Sequence, residues 1–408
     1  MSSSLASKAV QLLDRSASVN GQHFDRRTTI CPPQGRYSTV HYGLMLPNLP
    51  APHRFLNIIV VAGQPKVELF NNPQLIRTTP RDTANVLVGT STGTPDYFQG
   101  YSLKQDCELK RDGSYLRFGQ DLILEGSYPH FSARRENHDF NFNVKLNATD
   151  KIAHFGKLIG STYEHWSLLC EYEGHIEHLG LRTPIAGLCT WEYARAININ
   201  LPFRFFTYQI LNIDETTQVL MVEVRGPLDV VVQQRIYVRS LEDHGGIYTR
   251  GFDFTVHEYE AQRVTSPAGR SLRLPKTFSW KVDDHQGHEL ITIEGVANGD
   301  FQYGMAGGYA GSYSYRGRFK QRDVEGTGYI EFIDPRGSAE TASRFGAGRA
   351  DPPVSCPARS FLTTRETRRE PVAKGMANLA RSGKPAPACR LAMSLSAPPA
   401  WAGAPLRF

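Results

Sequence analysis

An alternation of apolar and polar side chains with a period of two residues dominates this sequence and restricts the folds open to it. Residues 140–147, for example, read FNFNVKLN. Successive side chains of a β-strand point to opposite faces, so this segment has one buried face and one solvated face. Similar runs recur at roughly the 8–12-residue spacing typical of all-β sandwiches and barrels. Because no long amphipathic helix pattern lies between residues 31 and 334, we predict an all-β body.

The segment 306–334 predicts a bent antiparallel hairpin. Tyrosines occupy alternate positions in its first half, and serines and arginines occupy the intervening ones. A polar turn at Lys320–Asp323 separates this run from a second apolar run, Val324–Ile333. Gly326 and Gly328 lie inside the second run, where glycines are typical of a sharp bend or of a close approach of the backbone.

An internal repeat predicts that the body consists of two similar β domains. GLCTWEY at 187–193 and GTGYIEF at 326–332 share a glycine, a glutamate five positions later and then an aromatic residue. Each copy closes a block of strand patterns and is followed by a break in the pattern. We therefore expect a first lipocalin-like β domain over residues 31–198 and a second over residues 199–334.

The two ends of the chain differ from this body. Residues 1–30 are rich in serine and are predicted to be flexible. Residues 335–408 are rich in Ala, Pro, Gly and Arg and cannot bury enough apolar surface to offset the entropy of ordering, so we predict a disordered basic tail. Residues 336–408 hold 12 Lys and Arg against 4 Asp and Glu, whereas the rest of the chain holds 34 against 36. The excess positive charge lies in the tail, so we expect no nucleic-acid binding by the body.

The cellular compartment is predicted from cysteine spacing and from the absence of targeting patterns. No two of the six cysteines are close enough for a zinc knuckle, and a reduced cytoplasmic environment accounts for them. The N-terminal residues lack a continuous apolar region typical of a signal peptide. No run approaches the ~18 apolar residues of a membrane span. The sequence leaves the oligomeric state open.

Four segments carry a resemblance to known proteins. VHYGLMLPNLPAPHRFLNIIVVAG (40–63), STYEHWSLLCEYEG (161–174), GLCTWEYARA (187–196) and the 306–334 hairpin resemble an uncharacterised group of proteins. That group is distantly similar to the two-domain lipocalin-like proteins, which include carotenoid hydratase and AttH-like proteins. The resemblance spans residues 37–334 and implies two antiparallel barrel domains with an apolar cavity. Some relatives hydrate a polyene or help to close rings, but no set of catalytic residues transfers to this chain.

Aromatic side chains on an inner barrel face would suit an apolar partner such as a lipid, an isoprenoid or a polyketide. The same side chains could instead fill the core, which is the commoner use of aromatic residues. The candidates for ligand binding are Trp166, Trp191, Tyr193, Phe205, Tyr208, Tyr313 and Tyr329.

Two glutamates in apolar strands, Glu192 and Glu331, are the strongest candidates for catalysis. A carboxyl group that points into a dry cavity has a raised pKa and can protonate an alkene. Alternatively, each glutamate faces outward or pairs with an arginine such as Arg195 or Arg318. His165 is a candidate general base, or a hydrogen-bonded structural histidine.

No cofactor or metal site is predicted. On a helix His175 and His178 could form a metal-binding pair, but Gly174 and Gly180 favour a strand or turn, where the two side chains would face opposite ways. The dinucleotide, P-loop, nucleophile-elbow and zinc-protease motifs are absent from the sequence. Three functions therefore stay open: binding of an apolar small molecule, acid-catalysed hydration, cyclisation or isomerisation, and a structural role with filled barrels.

Overall fold

Antiparallel pairing of consecutive segments organises the chain into two large sheets. The computed structural model describes residues 13–94 and 96–336, so nearly all of the predicted tail and part of the predicted flexible N-terminus lie outside the described residues. The described residues contain one short helix, α1, at Ser16–Val19. They also contain 3₁₀ turns at Glu68–Phe70, Pro73–Leu75, Pro80–Asp82, Ile159–Ser161 and Pro227–Asp229.

The first sheet has eleven strands in the order β4-β3-β2-β1-β11-β10-β9-β8-β7-β6-β5. The strands are β1 Thr39–Leu46, β2 Leu56–Ala62, β3 Thr83–Thr90, β4 Phe98–Ser102, β5 Cys107–Leu109, β6 Tyr115–Phe118, β7 Leu122–Ser127, β8 His130–Arg135, β9 Phe140–Lys157, β10 Tyr163–His178 and β11 Leu181–Ala196. This sheet curls into a nearly closed barrel.

The second sheet forms a half-barrel of ten strands. Its main path runs β15-β14-β13-β12-β23-β22-β20-β19-β16, with β21 paired to β22, while β17 and β18 form a separate ribbon. The strands are β12 Phe205–Asn212, β13 Thr217–Arg225, β14 Val231–Ser240, β15 Gly246–Tyr248, β16 Asp253–Tyr259, β17 Val264–Thr265, β18 Ser271–Leu272, β19 Pro275–Asp283, β20 Glu289–Ala297, β21 Gln302–Met305, β22 Gly308–Phe319 and β23 Arg322–Ile333. The predicted all-β, antiparallel, barrel-like fold class is confirmed.

The predicted hairpin is the pair β22–β23. Lys320 and Gln321 form its two-residue turn with φ of 49° and 64°, the left-handed values that a tight hairpin turn needs. Gly328 lies opposite Tyr313, and a Cβ atom on it would come within 2.5 Å of the tyrosine ring. Gly326 lies opposite Tyr315 in the same way. These glycines therefore make room for aromatic rings that cover the neighbouring strand.

The two segments of the internal repeat occupy the last strand of each sheet. β11 pairs with β1 and β10, and β23 pairs with β12 and β22. Each copy thus pairs on one side with the strand that begins its sheet in the chain, and on the other side with the strand immediately before the copy itself. The assignment of residues 31–198 and 199–334 as two domains stays a prediction.

Alternation along the strands divides the apolar residues among three clusters. In β1, Val40, Tyr42 and Leu44 pack inside the first barrel, whereas Met45 packs on its outer face. The second sheet buries a core of its own. The third cluster, which we call the inter-sheet layer, lies between the outer face of the first barrel and the second sheet. The two sheets therefore share a buried interface.

Polar contacts also cross the inter-sheet layer. Arg239 of β14 is fully buried and donates from Nη1 to the Ser167 carbonyl at 2.7 Å. Asn57 of β2 donates from Nδ2 to the Tyr329 hydroxyl of β23 at 3.1 Å. Such contacts fix the register of one sheet on the other.

Among the described residues, no helix has the length and apolar character needed to cross a bilayer.

The barrel interior should dominate the stability of the protein. Leu44→Ala, at a side chain with 0% exposure, should lower the free energy of unfolding by about 2–5 kcal/mol, because it leaves a cavity in a packed core. Leu181→Ala makes the same change at a side chain that is 66% exposed, and should change stability by less than about 0.5 kcal/mol. Urea unfolding followed by fluorescence measures both, and equal losses would contradict the assignment of the core.

Candidate active site between the two sheets

A cavity of about 280 Å³ opens in the inter-sheet layer, and we call it the inter-sheet cavity. Its volume lies just below the range typical of ligand pockets, about 300–1,000 Å³. Most of its wall is apolar and comes from both sheets and the segment that joins them, including Ile59, Phe155, Phe203, Val222 and Val224. A few polar side chains converge at one place, which is the composition typical of small-molecule sites.

The two repeat glutamates both line the inter-sheet cavity. In β11, the side chains of Trp191 and Tyr193 point into the first barrel. Glu192, which lies between them in sequence, therefore points outward, towards the second sheet. In β23 the neighbours of Glu331 point into the core of the second sheet, so Glu331 points towards the first sheet. Glu192 is 2% exposed and Glu331 is 6% exposed. Neither lies inside a barrel.

Three side chains surround the Glu192 carboxyl group. The Tyr208 hydroxyl donates to Oε1 at 2.7 Å, and the Nε2 atoms of His165 and His41 lie 3.5 Å and 3.8 Å from Oε2. The strand register brings these groups together. Glu192 lies between Gly43 of β1 and Ser167 of β10, and each histidine lies two residues before one of these partners, on the same face.

Gly43 leaves the space that this arrangement needs. A Cβ atom at this position would lie 2.9 Å from His41 Nε2 and 3.1 Å from Glu192 Cβ. The His41 ring is held from its other side, where Nδ1 lies 3.1 Å from the Val60 carbonyl and donates to it. His165 Nδ1 lies 3.1 Å from the Tyr163 hydroxyl. Both rings are therefore oriented with Nε2 towards Glu192.

Glu192 is ionised in this environment. Burial alone would raise its pKa, but hydrogen bonding and charge from His165 and His41 outweigh burial and lower the pKa to about 2. The pKa of His165 is lowered, because burial exceeds the opposing effect of the Glu192 carboxylate.

Glu331 has the opposite protonation state. Burial raises its pKa well above the ordinary value, the negative charge of Glu192 raises it further, and a hydrogen bond from Tyr329 offsets only part of this. That hydrogen bond runs from the Tyr329 hydroxyl to Oε1 at 3.0 Å. Glu331 is therefore a neutral acid near an ionised carboxylate, an arrangement that separates an acid from a base in one site.

The contrast between the two glutamates follows from their neighbours. Glu331 lies between Tyr208 of β12 and Ala310 of β22, as Glu192 lies between Gly43 and Ser167. Where the first sheet has His41 and His165, two residues before these partners, the second sheet has Phe206 and Gly308. Glu331 thus lacks the two imidazoles that stabilise a carboxylate at the equivalent position.

Within residues 13–94 and 96–336, two groups of side chains could hold a metal ion. The Nε2 atoms of His41 and His165 and a carboxylate oxygen of Glu192 lie within 4.8 Å of one another. His23, Asp150 and His244 form a second group outside the cavity. His175 and His178 have separate partners: His175 contacts Arg182 through Nδ1, whereas His178 packs edge-on against Phe140.

The structure brings together five of the ten predicted site residues, namely Glu192, Glu331, His165, Tyr208 and Tyr329. The other five lie in the two cores, with Trp166, Trp191 and Tyr193 in the first barrel and Phe205 and Tyr313 in the second. The arginines offered as alternative partners bind elsewhere. Arg195 pairs with Glu164 and Arg318 with Glu289. The functional roles of the ten residues stay predictions.

Sequence reasoning missed His41. It lies in the run TVHYGLML, where Val40, Tyr42 and Leu44 form the apolar face. The available signal was the alternation of side chains along the strand, which places the titratable ring of His41 on the same face as Gly43. The second cavity wall also escaped prediction, since Phe155 and Val222 belong to strands far apart in sequence.

A wider depression of about 580 Å³ lies on the outer surface of β20, β22 and β23. Its wall consists largely of exposed charged side chains, among which Arg316 pairs with Glu294. Exposed ion pairs of this kind are typical of a solvated strand face. We therefore place the candidate site in the inter-sheet cavity.

Residues 59–344 match a family of unknown function, DUF6670. The chain belongs to this family. No curated protein matches the sequence. Membership agrees with the resemblance to an uncharacterised group that was identified from the sequence.

Solved structures similar to this member of DUF6670 share little sequence with it. An AttH-like protein from Nitrosomonas europaea is 13% identical with a TM-score of 0.49, and the match covers 72% of this chain and 92% of that one. Kievitone hydratase from Nectria haematococca is 13% identical with a TM-score of 0.48, covering 78% of this chain and 95% of the other.

The Tyr208 hydrogen bond should contribute measurably to stability. Tyr208→Phe should lower the free energy of unfolding by about 1.5–3 kcal/mol, because it removes a donor to a buried carboxylate. Tyr42→Phe is the matched control, since the Tyr42 hydroxyl is buried without a hydrogen-bond partner among the described residues. The control should be neutral or stabilising. Denaturant titration of both variants checks this, and a loss no larger for Tyr208→Phe would refute it.

Glu331 should impose a pH dependence on stability. Its folded pKa lies above the unfolded value near 4.5, so its stabilising contribution is complete below that value and is lost as pH rises towards the folded pKa. Glu192 has the opposite shift, and its contribution is complete above 4.5. Glu331→Gln should therefore remove a decline in the urea midpoint that the wild type shows from pH 4.5 upward.

The control for this measurement is Glu294→Gln, at an exposed carboxyl on β20. This variant should retain the wild-type decline, because its carboxyl group stays solvated in both states. An identical slope in the wild type and in Glu331→Gln would show that Glu331 is ionised in the folded protein.

Proposed function

We propose that the inter-sheet cavity binds an apolar small molecule and that Glu331 donates a proton to it. The main support is a neutral carboxyl group and an ionised one lining a single, largely apolar cavity. Pairs of titratable groups whose environments separate their pKa values are typical of acid–base sites. The substrate class is an isoprenoid or a polyketide-like molecule that contains a carbon–carbon double bond.

Proton transfer from Glu331 to an alkene would form a C–H bond and leave a carbocation beside the new Glu331 carboxylate. The cavity contains groups that stabilise such a cation. Glu192 is ionised on the opposite wall, and the face of an aromatic ring attracts positive charge. Phe155, Phe203 and Phe206 supply aromatic rings to the lining of the inter-sheet cavity. Exclusion of water strengthens these electrostatic effects.

The fate of the cation determines the product. Loss of a neighbouring proton gives an isomer, attack by a second double bond followed by proton loss gives a ring, and capture by water gives an alcohol. In the first two cases the proton released from carbon returns to the Glu331 carboxylate. In the third case the water oxygen forms a bond to the cationic carbon, and one of the two water protons passes to the Glu331 carboxylate. Each of the three reaction routes therefore restores the protonated form of Glu331.

A second candidate function is retention of an apolar molecule without reaction. The cavity wall supports binding by itself, since its apolar residues contact a ligand whether or not Glu331 transfers a proton. Comparison of ligand retention with turnover separates the two functions.

The test begins with the molecule recovered from the purified protein by organic extraction and mass spectrometry, or with a panel of acyclic isoprenoids if none is recovered. Glu331→Gln should retain binding and reduce turnover by about 10²–10⁴-fold, the range for loss of a general acid. Glu294→Gln, far from the cavity wall, should behave as the wild type. Turnover should persist in EDTA, because the proposed proton transfer uses no metal.

Three outcomes would overturn parts of this proposal. Unchanged turnover in Glu331→Gln would exclude Glu331 as the proton donor. Binding without turnover of any molecule in the wild type would favour retention alone. An absence of both a recovered ligand and panel binding would exclude the cavity as an apolar ligand site.

A further inference from the structure

We propose that His23, Asp150 and His244 form a divalent metal site, suited to Zn²⁺, outside the inter-sheet cavity. One ligand atom from each residue lies within 4.8 Å of the other two. None of the three lines the cavity. The proposal is independent of the function proposed above.

The three residues come from three separate parts of the fold. His23 precedes Phe24 and forms an isolated antiparallel bridge with Lys151. The backbone N–H of Phe24 donates to the Asp150 carbonyl at 3.1 Å, which fixes this segment along β9 of the first sheet. His244 lies between β14 and β15 of the second sheet. A metal here would join the N-terminal segment to both sheets.

The loop that carries His244 is held in place by its own hydrogen bonds. The Ser240 N–H donates to the Asp243 carbonyl at 2.9 Å, and the Gly245 N–H donates to Asp243 Oδ1 at 2.8 Å. Gly245 has a positive φ of 65°, and a Cβ atom at this position would lie 1.7 Å from the Val238 carbonyl oxygen. The loop backbone therefore presents His244 in a defined position.

Hydrogen bonding accounts poorly for the way these atoms meet. His23 Nδ1 contacts Asp150 Oδ2 closely and also lies 2.9 Å from His244 Nε2. An imidazole nitrogen carries either one hydrogen or one lone pair. If His23 Nδ1 carries the hydrogen, it can donate fully to only one of its two neighbours. If His244 Nε2 carries the hydrogen, the His23 lone pair faces the Asp150 carboxylate. A cation at the centre would accept a lone pair from each atom.

The ligand types favour zinc. Two imidazole nitrogens and a carboxylate oxygen are borderline ligands that suit Zn²⁺ and exclude a preference for Mg²⁺ or Ca²⁺. Lys151 Nζ lies 2.8 Å from Asp150 Oδ1, so Asp150 would bind through Oδ2 alone. The His23 side chain is 72% exposed, which lets water fill a fourth position.

Metal binding would restrain one edge of the inter-sheet cavity. Asp14 lies on the same N-terminal segment as His23, lines the cavity and pairs with Arg235 Nη2 of β14 at 3.0 Å. A metal that fixes this segment at His23 would limit its separation from both sheets. Because the ion binds only the native arrangement, it should stabilise the folded protein.

The test is titration of ZnCl₂ into the EDTA-treated full chain, followed by calorimetry and by thermal unfolding. The wild type should show saturable binding and a rise in Tm, and both should be lost in His23→Ala and in His244→Ala. His257→Ala, at an exposed histidine on β16, is the matched control and should retain both. Glu192→Gln should also retain both, because its carboxyl group belongs to the other possible metal group.

Several results would overturn the proposal. These are absence of saturable binding, binding unchanged in both His23→Ala and His244→Ala, and binding lost in Glu192→Gln but kept in His244→Ala. The last result would place the metal in the inter-sheet cavity. His23→Ala changes an exposed side chain, so its circular dichroism should match the wild type even if His244→Ala unfolds. None of these readouts depends on turnover, so the outcome is separate from that of the proton-transfer test.

Discussion

The hydrogen bond from Tyr208 to Glu192 joins the two sheets, and the electrostatics of the cavity between them depend on it. Tyr208 lies on the first strand of the second sheet, Glu192 on the last strand of the first, and their 2.7 Å contact is buried. A buried carboxylate is stable only where donors replace its lost water. The ionised Glu192 in turn disfavours a second negative charge nearby, so it helps to keep Glu331 neutral.

A buried cation balances this anion within the inter-sheet layer. Arg239 has no carboxylate within ion-pairing distance among the described residues and bonds instead to Ser167 and Gln218. Burial lowers the pKa of Arg239, and interactions with neighbouring groups, including Tyr208 and Glu192, oppose part of this effect. Glu192 and Arg239 therefore partly compensate each other's buried charge, and removal of either would leave the other less well compensated.

Much of the fold could be predicted from the sequence, because strand periodicity and turn residues are local signals. The hairpin of β22 and β23, the all-β class and the two repeat glutamates were all accessible in this way. The location of the cavity was not. The alternation of side chains along a strand shows that Trp191 and Glu192 face opposite sides of the sheet. It does not show which of these sides another sheet covers. The sequence left open which way Glu192 faces, and in the structure the second sheet covers that side of β11. The partners of Glu192 depend on that long-range packing.

The repeat places two chemically identical side chains in matching positions and gives them different charges. The difference arises outside the repeat itself, where imidazoles flank one copy and Phe206 and Gly308 flank the other. A duplicated element can therefore supply both halves of a proton-transfer pair without any change in the duplicated glutamate. Chemical asymmetry in such a protein resides in the strands next to the copies, which is where comparison of related sequences would be most informative.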